Sequence, residues 1–128
     1  MAGTSTSTFT ELGTKYVLDR DAKGNAASND VTSATGVIYL VEIDNEANSS
    51  AVWLKVIDAA SGAPNPSTAN GSGTPHYSFI APAYTKICYV IPSGAAFDTG
   101  LSFWCTTAAA VGTNANAGNP VVVKFITT

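Results

Sequence analysis

His76 is the only histidine in the chain, and the other residues able to do chemistry are nearly as sparse. A general base needs a proton acceptor poised near neutral pH and within reach of the group it activates. His76 stands beside a loop with no serine–histidine–aspartate context, and Asp98 is its nearest downstream carboxylate. It reads as a polar rim residue. Without a second imidazole, a histidine-rich metal site is excluded. DRDAKGNAASND (19–30) puts Asp19, Asp21, Gly24 and Asp30 where a calcium loop has its first, third, sixth and twelfth positions. The fifth is Lys23, a cation where an oxygen ligand belongs, and no flanking helix is predicted. The segment reads as a polar loop of turn-forming residues. Glu42, Asp44, Glu46 and Asp58 gather around residues 37–58. Glycosidase chemistry would need two such carboxylates at a defined separation inside a cleft. Here they fall at strand ends and a turn tip, where they discourage edge pairing. GSG at 71–73 precedes no helix, so it is no phosphate loop. Cys88 and Cys105 are too few for a disulfide framework and are not spaced for zinc. Both read as buried thiols, with a cross-strand disulfide as the alternative. No catalytic residue, metal ligand set or cofactor site emerges, and the expectation is a non-enzymatic protein.

The elements that position these residues are strands. VIYLVEID (37–44) alternates, with Val37, Tyr39, Val41 and Ile43 on one face. AVWLKVID (51–58) alternates too, with Val52, Leu54 and Val56 opposite Trp53, Lys55 and Ile57. NEANSS between them has a suitable length for a hairpin. Further strands are predicted at 14–19, 76–81, 84–91, 101–108 and 121–127, the last apolar on both sides and therefore buried. Pro92 and Gly94 are expected to end the fifth strand. About seven strands, with turn signals every 8 to 15 residues and no helical periodicity, predict an all-β antiparallel sandwich. Its expected core includes Val37, Tyr39, Val41, Val52, Leu54, Val56, Phe103, Val121 and Val123. Residues 1–13 are Thr, Ser and Gly rich and read as an extended arm. Residues 14–128 read as one domain.

Composition narrows the partners. Only 12% of the 128 residues are charged, against about 25% in an ordinary domain, and the net charge is −3. The six Lys and Arg residues are scattered, which argues against nucleic acid. No apolar run approaches a membrane span, and MAGTSTSTFT lacks the pattern of a signal peptide, so folding in a cytoplasm is expected. A surface of small neutral residues loses little entropy when packed on another protein. The candidate contacts are Phe9 and Leu12 in the arm, with Trp53 and Trp104, which alternation turns away from the core.

Three segments carry a resemblance: VIYLVEIDNEANSSAVWLKVIDA (37–59), YVIPSGAAFDTGLSFWCTTAAA (89–110) and NPVVVKFIT (119–127). The pattern is an aliphatic strand ending in Asp-Asn, a small-residue turn, and Ala-Val-aromatic-Leu-Lys in the next strand. Ile-Pro-x-Gly and Phe-x-Thr-Gly-Leu-Ser follow, before a Thr/Ala-rich tail. Together these resemble small β-sandwich structural proteins of tailed phages, notably cyanophages, over about half the chain. The resemblance implies a capsid cement, or decoration, protein or another small head or tail component. It would sit on the capsid surface as a homotrimer, assemble in the host cytoplasm and bridge major capsid protein subunits. The alternative is a carbohydrate-binding module that uses exposed aromatics on host glycans. The resemblance supplies no catalytic residues. It gives 93–110 a scaffold role: Phe97 and Leu101 plug the sandwich, Phe103 and Cys105 face the core, and Gly100 is free to take a positive φ.

Overall fold

The computed structural model describes residues 13–28, 31–59, 74–110 and 115–128. These hold seven strands and no helix: β1 (Lys15–Asp19), β2 (Gly36–Asp44), β3 (Val52–Asp58), β4 (Tyr77–Ala81), β5 (Lys86–Phe97), β6 (Leu101–Thr106) and β7 (Val122–Thr127). β1-β7-β2-β5 form one antiparallel sheet and β4-β3-β6 a second. The protein is an all-β sandwich, as the strand spacing predicted.

The core lies between the sheets. The four-stranded sheet contributes Ile38, Val41, Ile43, Val123 and Phe125, and the three-stranded sheet Val52, Leu54, Val56, Leu101, Phe103 and Cys105. Phe103 and Phe125 meet across the gap with ring centroids 4.8 Å apart and planes tilted by 51°. Such a pair adds about 1 kcal/mol beyond its burial. Phe97, Leu101, Phe103 and Cys105 are buried, as their scaffold role required.

Four expectations need correction. First, Val37 and Tyr39 are only half-buried, and Ile38 occupies the core instead. The register of β2 shifts between Ile38 and Leu40. A bulge there reverses which face each residue takes, and strict alternation cannot anticipate one. Second, β2 and β3 are not a hairpin. They belong to different sheets, and residues 45–51 arch between them. Buried Asn45 pins that arch, its Nδ2 donating to the Ser50, Ala81 and Pro82 carbonyls.

Third, Pro92 and Gly94 bend β5 without ending it. β5 is an edge strand, so the missing N–H of Pro92 costs no ladder bond on its free side. Gly94 has φ +76°, and a Cβ there would come within 2.1 Å of Val37 Cγ1. Fourth, the positive φ expected at Gly100 is absent: Gly94 is the glycine among the described residues that takes one.

Candidate functional site

The chemistry-bearing residues are placed as turn fasteners. The Asp58 carboxylate accepts the backbone N–H groups of Asp98 (2.7 Å), Thr99 (2.7 Å) and Gly100 (3.1 Å), and so ties the β5–β6 turn. Partial burial works to raise the Asp58 carboxyl. The three donors and neighbouring His76 outweigh it and hold the group below its ordinary range. His76 Nδ1 accepts the Asp58 N–H at 3.0 Å, so the lone imidazole caps the end of β3. Asp19 accepts from its neighbours Asp21 N–H and Ser28 Oγ–H, and Asp21 pairs with Lys23 at 3.1 Å. Asp30, the last position of the calcium pattern, lies outside the described residues. Among the described residues no three His, Cys, Asp or Glu side chains cluster as a metal site would require.

The two cysteines are separate. Cys105 is buried and Cys88 is exposed, both as free thiols. Burial in one case therefore replaces the expectation of two, and the alternative of a disulfide fails because Cys88 lies on the exposed outer face of its sheet while Cys105 lies in the core between the sheets. Removal from water pushes the Cys105 thiol up to about 12, with Asp19 adding to the effect and Lys55 opposing it.

Of the expected contact residues, Phe9 and Leu12 lie outside the described residues. Trp53 is half-buried on the outer face of the three-stranded sheet. Trp104 also turns away from the inter-sheet core but is only 3% exposed. The chain after β6 folds back over this face. Thr106 Oγ1 donates to the Ala108 carbonyl, and Lys55 Nζ donates to the Ala110 carbonyl at 2.7 Å. Lys55, the register partner of Trp104, is buried, and its amine is pushed below the ordinary lysine value by desolvation. Both faces of β6 are thus covered, and the outer side of this sheet leaves open Trp53 and its register partner Ile80, the latter exposed at the β4 edge.

The open surface is the outer face of the four-stranded sheet. Strand register aligns Tyr16, Ile126, Leu40 and Val90 in one apolar row across β1, β7, β2 and β5. Tyr16 and Val90 are 61% and 59% exposed. The next row is Leu18, Lys124, Glu42 and Cys88. Glu42 sits between Lys124 (3.3 Å) and Lys86 (3.7 Å). Beside it a groove of about 420 Å³ runs along β1 and β7, lined by Tyr16, Leu18, Val122, Arg20 and Lys124. Arg20, Lys86 and Lys124 outnumber the carboxylates of Glu42 and Asp44, so this face is basic on an acidic protein. None of the four row residues was singled out in the sequence. The signal existed only as a second apolar set in each strand, and pairing register was needed to gather it. Comparison with known proteins finds no matching family model, no matching curated protein and no matching solved structure.

Proposed function

We propose that the protein is a non-enzymatic phage virion component, a capsid decoration protein that docks on major capsid protein subunits through the outer face of its four-stranded sheet. The apolar row Tyr16–Ile126–Leu40–Val90 carries the reading, because its ends, Tyr16 and Val90, are exposed and its middle, Ile126 and Leu40, only half-buried, which a sandwich alone in water gains nothing from. The excess of cations around it suits an acidic, partly apolar partner. Resemblance to phage structural proteins supplies the identity of that partner and the homotrimer at a threefold junction.

Size decides the role of the arm. The four strands, of 5, 9, 12 and 6 residues at about 3.3 Å per residue and about 4.8 Å apart, make a footprint of roughly 510 Å². A stable interface covers about 800 Å² per partner. The sheet face needs a second contact, and the chain leaves the sandwich beside it. Thr14 N–H donates to the Thr127 carbonyl, and a Cβ on Gly13 would touch Ile126. Residues 1–13, with Phe9 and Leu12, are our candidate for that second contact, since Gly13 and Thr14 join the sandwich beside Ile126 and Thr127.

The test is a binding titration on empty shells of the cognate capsid protein. Deleting residues 1–13 should leave the circular dichroism of the sandwich unchanged and weaken binding at least tenfold, about 1.4 kcal/mol. Equal affinity of the two proteins would remove the arm. No binding by either would remove the decoration reading.

A further inference from the structure

Tyr84 has φ +57°. A bulky side chain rarely adopts the left-handed region, and strain of this kind persists where the surroundings enforce it, often at ligand sites. The Tyr84 N–H donates to the Asn48 carbonyl at 2.9 Å, and Thr85 Oγ1 donates to the Pro82 carbonyl at 2.7 Å. The loop backbone is thereby tied down, and the ring is 67% exposed. It stands over a cleft of about 410 Å³, within the range of small-ligand sites.

Three separate segments build the cleft: the arch after β2, the turn before β5, and the chain on either side of the segment linking β6 to β7. Its walls are braced by a reciprocal pair, Asn48 Nδ2–H to the Asn119 carbonyl (3.1 Å) and Asn119 N–H to Asn48 Oδ1 (2.7 Å). Among the described residues no charged side chain lines it. Its functional groups are the hydroxyls of Ser49, Ser50, Thr107 and Tyr84 and the amide of Asn116. Asn116 Oδ1 is taken by the N–H groups of Gly24 and Asn25, which leaves its Nδ2 as a donor. The four hydroxyls bond to none of the described residues. The site thus combines one exposed aromatic ring on a hydrogen-bonded loop with uncharged groups that both donate and accept. That pairing matches a ligand with an apolar ring face and a rim of hydroxyls.

We propose that this cleft binds a neutral saccharide, with a pyranose face stacked on Tyr84 and its hydroxyls on Ser49, Ser50, Thr107 and Asn116. The site is pre-formed, so binding needs little ordering of the protein. It lies apart from the proposed docking face, sharing no lining residue with the groove beside Tyr16.

The probe is a panel of neutral hexose and N-acetylhexosamine oligosaccharides on an array, followed by an NMR titration with the best-retained one. The parent protein should show saturable shifts at the amides of Ser49, Ser50, Tyr84, Thr107 and Gly118. Tyr84→Asn should weaken binding at least tenfold. Its melting temperature should equal or exceed the parent's, since asparagine tolerates the left-handed region. The double variant Ser49→Ala/Ser50→Ala should weaken binding without moving the melting temperature. Both should bind empty shells like the parent, which separates this result from the docking test. Retention of no neutral glycan, retention of anionic glycans alone, or equal affinity of Tyr84→Asn would each overturn the proposal.

Discussion

Asp58 shows how a residue suited to catalysis serves architecture instead. Its carboxylate holds three N–H groups of the β5–β6 turn. Asp58→Ala should cost about 1 kcal/mol, comparable to losing a helix cap. The dependence on pH follows from the direction of the shift. The folded state binds the Asp58 proton less readily than the unfolded chain does. The stabilisation is therefore complete above the ordinary aspartate pKa of about 3.9. It is lost as pH falls below that value and through the lower folded one. Thermal unfolding between pH 5 and pH 2 should show the parent and Asp58→Ala converging as the pH drops. A constant gap would mean that the carboxylate charge plays no part in the turn. The thiols make a second residue-scale prediction. Cys88 is exposed, while Cys105 is buried with its thiol pushed up to about 12. The thiolate is the reactive form. A colorimetric thiol reagent should find one fast group in native protein and a second only in denaturant. Two fast groups would contradict the buried placement of Cys105.

At the scale of the elements, β5 is held in its bent course by Gly94. An alanine there meets both an unfavourable φ and the Val37 side chain, so Gly94→Ala should lose more than about 1 kcal/mol in urea unfolding. A loss below about 0.5 kcal/mol would place the bend elsewhere. Gly94 also marks the limit of what the sequence makes legible. β3 and β7 begin and end within a residue of expectation because each is bounded by turn formers and carries β-branched residues, which suit a pleated surface. Alternation also places Val41, Leu54 and Phe103 in the core. It fails at Val37 and Tyr39, since a single bulge inverts the parity of everything before it. Pro92 and Gly94 look like a terminus, because the punctuation for a bend and for an end is the same. Alternation is also blind to sheet membership, which is why the β2–β3 arch resembles a hairpin in sequence. Trp104 was legible as facing away from the core, but not as covered, since its cover comes from the chain beyond β6. The cleft under Tyr84 was not legible at all, being assembled from three loops far apart in sequence.

The whole molecule has two unlike sides. The three-stranded sheet is covered over β6, while the four-stranded sheet shows an apolar row and a basic groove. An assembly that uses the second side and the arm leaves the cleft under Tyr84 as a separate site. The sheet face carries its own reporter, since Cys88 stands in the row beside the apolar one, across from Glu42. The most direct test of the docking face is the rate at which a maleimide labels Cys88 in free protein and in protein bound to empty shells at saturation. If the four-stranded sheet lies against the shell, labelling of the bound protein should slow at least tenfold, with Cys105 silent in both states. An unchanged Cys88 rate in protein that sediments fully with shells would show that another surface makes the contact, and would contradict the account.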